Sequence, residues 1–462
     1  MILTIYVTVR RHVMLGKNRG KKFPLRRKPT RKATLTAKAP PKEVNSLTDC
    51  NESLIRVPRQ IGSDLSSMAW ADSVDVSTMA TIMDFTHFTK KSMHRIEKYI
   101  DFPPKGIEWM EPLLHDAAWV HMMAFTSYAT INVVRGDSTQ LVDQRASVHF
   151  TRSMRLLRER LLGNDKALST TNSTVQIVLG LATYAKMHGD FEEARCHLTG
   201  LWRMVELRGG IENFRPWPKL ILEFLRTDIS LSIHCGTTPL FLQDRFTDVQ
   251  WPYPLDQFPH MIENEHSLLS YCQDGSPDVL DYELNLAWRI LGNFSLQINN
   301  AVLTNSQVPR DLLIDTMASV MYRLLDMRFA PGCLDEVVRL GLLAFGANVF
   351  LQWQQSFPVG PTCFTSMLQE SLSQFRQADN FPHLMMWVLL IGASTVFSAE
   401  DNTWLHPWLK ASMKACGVRS WDDAKSILHR LPWVDILHGS IGCSIFAEVY
   451  SANLSGPDSQ DT

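Results

Sequence analysis

The first residues that could do chemistry here are cations. Arg10 and Arg11, Lys17 and Arg19, Lys21 and Lys22, Arg26, Arg27 and Lys28, and Arg31 and Lys32 crowd the stretch 1–42, which holds thirteen Lys/Arg and no Asp or Glu. The rest of the chain carries the other 33 Lys/Arg against all 47 Asp/Glu, so a near-neutral total divides into +13 and −14. A run of this density suits nucleic-acid phosphates, an anionic surface or an import receptor. Lys21-Lys22 and Arg26-Arg27-Lys28 form two clusters of the kind import receptors read, so nuclear import is the first reading and direct DNA-phosphate contact the second. Such contact would release counterions and give sequence-independent affinity of roughly 10⁻⁴ to 10⁻⁶ M. Base reading needs a folded element in a groove, and single-strand binding needs interleaved aromatics, of which the cationic run holds only Phe23.

Other chemistry-bearing residues have duller explanations. His438-Gly439-Ser440-Ile441-Gly442 resembles a nucleophile elbow, but Gly439 abuts the serine and no strand precedes it; a helix-ending turn is expected. Gly209-Gly210 and the glycines 341 and 346 lack the Lys-Ser/Thr pair of a phosphate loop and read as a helix stop and close packing. His115, Asp116 and His121 could ligate a metal, yet a six-residue step sets the two imidazoles on opposed helix faces. The adjacent pairs His234-Cys235 and Cys196-His197 do not converge on one ion. The eight cysteines are scattered along the chain with no two close in sequence, which fits buried thiols in a reducing compartment better than a zinc site or disulfide scaffold. No catalytic residue, metal site or cofactor is assigned, and the chain is not expected to be an enzyme.

The elements that would position any site are helical. Residues 1–45 read as a disordered basic arm, 46–105 as a polar linker, 106–453 as the helical body and 454–462 as a disordered tail. Punctuation at Trp251-Pro252-Tyr253-Pro254 and Asp274-Gly275-Ser276-Pro277 divides the body into blocks of about 107–250 and 278–453. Residues 2–9 are apolar but short, and Arg10 and Arg11 follow the run instead of preceding it, which argues against a secretory signal. A mitochondrial presequence is a minority reading. Leu384 to Phe397 is too short to span a membrane and reads as a buried helix.

Asp190 with Glu193 predicts a capped helix start, followed by apolar residues at 194, 198, 201 and 205 until Gly209-Gly210. With Leu179, Tyr184 and Gly189 before it, this predicts one antiparallel helix pair. Ala287, Ile290, Leu291, Phe294, Ile298, Ala301 and Val302 repeat the period, as do Leu313, Met317, Val320, Met321 and Leu324 after Pro309. From Leu334 to Trp353 the pattern is apolar on nearly every side, which predicts a central helix. The fold class is all-α, an irregular multi-helix bundle of packed antiparallel helix pairs.

The run LAWRILGNFSLQINNAV at 286–302, then 321–325 and 334–345, resembles the fungal-specific transcription factor domain of zinc-cluster-type regulators. Ala194-Arg195 through Gly200-Leu201 and Met204 to Gly210 are similar to that family's central signature, and Arg11-His12-Val13-Met14 to the opening of a subgroup. The resemblance implies a helical regulatory domain in a nuclear protein that controls transcription, often near metabolic gene clusters. Its implied partners are the transcription machinery or other regulators and a small-molecule effector, with non-specific DNA contact from the arm and no membrane. Zinc-dependent groove reading does not carry over, because no cysteine precedes Cys50. An upstream exon is missing or the chain belongs to the zinc-less subgroup, and the Arg-His-Val-Met start favours the second. A protein-interaction scaffold without DNA binding, or a mitochondrial enzyme, are the alternatives.

Overall fold

The computed structural model describes residues 70–89, 94–102, 111–135, 140–163, 165–242, 251–258, 280–351 and 363–451. All eleven arm candidates, from Arg10 to Lys32, lie outside these residues, as do the tail and the Asp274-Gly275-Ser276-Pro277 punctuation. The described chain is all-α, made of packed helix pairs with almost no strand. Its described residues form two compact units, one drawn from 70–88 and 111–153 and the other from 89–102 and 154–451.

In the first unit, helix α1 (Val76–Phe88) begins where the Asp75 carboxylate accepts from the Thr78 amide at 2.7 Å. It buries Met79, Ile82 and Phe85 along one face and packs on α2 (Ala117–Arg135). Thr78 is also buried and shares a 3.0 Å hydrogen bond with the Tyr128 hydroxyl. The span 46–105 expected as linker thus contains a packed helix. Its face escaped the sequence reading because a threonine takes one inward position and is made compatible with burial by that single bond. Helix α3 (Gln140–Leu162) contributes its residues up to 153 to this unit.

In the second unit, α4 (Asn172–Met187) and α5 (Phe191–Leu207) form the expected antiparallel pair. Asp190 caps α5 by accepting from the Glu193 amide at 3.0 Å, and Ala194, Leu198, Leu201 and Val205 are buried as the spacing required. Helix α6 (Pro218–Cys235) packs against both and is buried on nearly every side. Proline at its first turn loses no intrahelical bond, and Gly236 ends it with a left-handed φ of 66°.

Helices α7 (Tyr282–Thr304), α8 (Arg310–Asp326) and α9 (Leu334–Gly346) pack successively, with Trp288, Phe294, Met317, Tyr322 and Phe345 fully buried. Every described residue of α9 except Asp335 is buried, and the chain continues through a π-helical turn, Ala347–Leu351, that is buried throughout. Helix α10 (Cys363–Gln374) packs on α6 and α9. Helix α11 (Pro382–Thr395) is the buried apolar helix expected near 384, and it packs on α9, on α12 (Asn402–Ala415) and on the last helix.

That last helix, α14 (Asp435–Ser451), follows α13 (Trp421–Leu428) and corrects one expectation. His438-Gly439-Ser440-Ile441-Gly442 lies inside α14 and does not end a helix. The glycine at 442 serves close packing: an added Cβ would stand 2.7 Å from Trp421 and 3.2 Å from Trp433. Two short strands, β1 (Ile100–Asp101) and β2 (Val308–Pro309), pair in parallel and fix the 94–102 segment at the entry to α8.

Candidate functional site

The polar residues Glu223, Arg226, Thr227 and Ser230 recur on α6 at steps of three and four, so they share one helix face although the helix is buried. A buried charge survives only when paired and hydrogen-bonded. Arg226, 2% exposed, meets that requirement on three sides. Its Nη1 lies 2.7 Å from Glu97 Oε1, 2.7 Å from Glu223 Oε1 and 3.2 Å from His94 Nδ1. Its Nε donates to the Phe350 carbonyl at 2.7 Å, within the π-helical turn after α9.

The β1–β2 pairing brings the other half of the cluster. His94 and Glu97 belong to the 3₁₀ turn Arg95–Tyr99 and its cap, directly before β1. Lys219, in the first turn of α6, donates to Glu97 Oε2 at 3.2 Å. At the far side Lys186, in the last turn of α4, donates to Ser230 Oγ at 2.7 Å.

Electrostatics assign the protonation states. Burial opposes the Glu97 charge, but His94, Arg226 and Lys219 outweigh it and hold the carboxyl well below its ordinary value. Burial depresses His94 against the pull of Glu97. Burial also lowers Lys186 to about 8, with Glu223 resisting. For Arg226, the two carboxylates overcome desolvation and strengthen the cation.

One ligand atom each from His94, Glu97 and Glu223 lies within 4.8 Å of the others, which is a metal-like set. All three are already turned on Arg226 Nη1, so the guanidinium occupies the centre an ion would take. The set functions as a clamp for an internal cation.

A second polar point lies on the opposite side of α6. Asp228 accepts from the Leu240 and Phe241 amides at 2.8 and 3.0 Å and from the Tyr322 hydroxyl at 3.1 Å. Burial exceeds these bonds and raises its carboxyl to about 6. It fastens the stretch after α6 to α8.

No family model, curated protein or solved structure matches this chain.

The residues singled out from sequence are placed apart from the α6 cluster. His121 is buried in the first unit, with Nε2 3.1 Å from Asp72 Oδ2 and Nδ1 2.8 Å from His149 Nδ1, while Arg152 holds the same Asp72 oxygen at 2.7 Å. His115 is exposed in the turn before α2. His234 lies tilted against Phe191, Cys196 is exposed, and His197 lies 3.4 Å from Glu193 Oε1. His438 is fully buried and accepts from the Val434 amide, whereas Ser440 is exposed, so the two do not form a nucleophile and base. Sequence reasoning missed the α6 cluster. The available signal was the Glu223-Arg226-Thr227-Ser230 face; His94 and Glu97 fell in the stretch read as linker, and Lys186 belongs to a different helix.

Proposed function

We propose that this chain is a transcription-regulator-like protein of the fungal type without a zinc cluster. In this reading the helical body is the regulatory module and the basic segment 1–42 directs nuclear entry. The observation that carries it is where the resemblance falls. Residues 286–302, 321–325 and 334–345 occupy α7, α8 and α9, three helices packed on one another, and their inward side chains Trp288, Phe294, Met321, Tyr322, Leu340 and Phe345 are fully buried. Similarity concentrated on packing positions supports a shared regulatory core and not a shared reaction. The α6 cluster agrees with a non-enzymatic role, because its carboxylates and imidazole are engaged by Arg226 instead of standing open to a substrate.

Two measurements in yeast test this. A fluorescent fusion of the whole chain should concentrate in the nucleus, and one lacking residues 1–42 should not. The helical body, tethered to a reporter promoter through a foreign DNA-binding domain, should change reporter output. A cytoplasmic whole chain, or a tethered body that leaves the reporter unaltered, refutes the proposal.

A further inference from the structure

We infer, independently of the transcriptional reading, that the first unit is closed by a proton-counting clasp. His121 on α2 and His149 on α3 share one hydrogen bond that tolerates one added proton and breaks on a second, so that acidification frees α3 from α2.

The hydrogen-bond roles follow from the partners. Asp72 accepts through Oδ2 from Arg152 Nη2 at 2.7 Å and Nε at 3.0 Å, and through Oδ1 from the Ser73 amide at 2.7 Å. Burial opposes its charge, but His121, the Ser73 amide and Arg152 outweigh burial and lower the carboxyl. An ionised carboxylate only accepts, so His121 Nε2, 3.1 Å from Oδ2, is the donor. The neutral His121 ring then offers only a lone pair at Nδ1, and His149 Nδ1, 2.8 Å away, must donate into it. One further proton is accommodated on His149 Nε2 with the shared bond intact. The next has only His121 Nδ1 to occupy, where it would set two N–H groups head to head. Two imidazolium rings cannot keep that contact, because every ring nitrogen is then a donor.

The charged groups that face the pair pull both ways. Asp72, before α1, favours protonation of His121, and Asp75, at the start of α1, favours that of His149; Arg145 and Arg152, on α3, oppose it. The Tyr128 ring lies 6.1 Å from His149, with its hydroxyl bonded to Thr78. Burial is the largest influence on both imidazoles and lowers both. The attachment that the pair secures is thin. Of the side chains 144–153 of α3, only Ala146 and Ser153 are buried. Phe150 lies tilted against Phe125 at 4.8 Å, and Ser153 Oγ donates to the Ala118 carbonyl at 3.0 Å. With so little apolar surface committed, the polar contacts carry much of the hold, and two like-charged rings set against each other release it.

The test is hydrogen exchange of the full chain from neutral to mildly acid pH, read by mass spectrometry on peptides of α2 and α3 and corrected for the chemical exchange rate. Both folded values are lowered, so the clasp's contribution is complete above the ordinary imidazole value of about 6.5 and is lost as pH falls below it. The opened pair takes up two protons in that window, so the opening constant should rise by more than tenfold, and up to about 100-fold, per pH unit. A single buried imidazole gives at most about tenfold. His149→Phe should cut the steepness to that lower limit, and His115→Asn, in the exposed turn before α2, should leave it unaltered. Exchange of the imidazole C2 hydrogens in the native chain reads each ring without a variant, and both His121 and His149 should titrate below about 6.5. A native rise of tenfold or less per unit overturns the clasp, as does undiminished steepness in His149→Phe or either ring titrating above its ordinary value.

Discussion

Replacing Arg226 by methionine should be among the most damaging single changes in the second unit. The side chain supplies two charge-assisted contacts at 2.7 Å, to Glu97 and Glu223, and a third to the Phe350 carbonyl. At that separation and an effective dielectric of about 20, each carboxylate contact is worth about 6 kcal/mol in Coulombic attraction. Desolvation offsets most of this, and breaking one side of a buried pair typically costs about 3–5 kcal/mol because the partner charge is left uncompensated. Arg226→Met should therefore lose about 3–5 kcal/mol at pH 7, measured by chemical denaturation followed by circular dichroism. The pH dependence distinguishes an orphaned charge from simple loss of packing. In the native protein Glu97 is held below its unfolded value, so its contribution is present above about pH 4.3 and disappears as pH falls through the folded value. Without Arg226 the carboxyl loses one of the cations that hold it down, so its folded value moves up toward the unfolded one and it stabilises the variant less than the native protein. The gap between native and variant protein should narrow as pH falls below about 4.3, and Glu97→Gln should recover part of the loss in the Arg226→Met background. A cost below about 1 kcal/mol, or a cost independent of pH, would refute the clamp.

Tyr322→Phe removes the hydroxyl that Asp228 accepts from and should cost about 1.5–3 kcal/mol at pH 7 by the same denaturation assay. Because Asp228 titrates near 6 in the fold, that cost should shrink below pH 6 as the carboxyl protonates and the bond loses its charge. His438 is depressed by burial to about 3, so the unfolded chain binds its proton first; stability should fall as pH drops from about 6.5 to 3, by up to about 1.4 kcal/mol per unit. His438→Leu should erase that slope while costing about 1–3 kcal/mol at neutral pH for the orphaned Val434 amide. Among the glycines, Gly341→Ala should cost about 1–3 kcal/mol, since its Cβ would meet Trp387 at 2.8 Å and Val388 at 3.0 Å. Gly200→Ala, in open space within α5, should stabilise by up to about 1 kcal/mol, and thermal melts of the pair should move in opposite directions.

What could be read from the sequence was whatever a helix repeats within itself. Ala194, Leu198, Leu201 and Val205 on α5, and Leu313, Met317, Val320 and Leu324 on α8, are buried because a 3.6-residue period leaves one face to bury. Where a local cue has two physical meanings, the reading failed. Gly439 and Gly442 resemble breakers, yet α14 runs through both, and the one at 442 is small because Trp421 and Trp433 close on the helix. The α6 cluster was harder still, since its charged groups come from the 3₁₀ turn at 95–99 and its cap, the end of α4 and the first three turns of α6, with a carbonyl at 350 as a further partner. No periodicity within one segment encodes that convergence; it exists only once β1 pairs with β2 and α6 lies against α4. The same point explains why a reading that found α4, α5, α7, α8, α9 and α11 left the charged interior unseen. Helical periodicity records where apolar surface goes, whereas a buried guanidinium is specified by the partners that long-range packing brings to it.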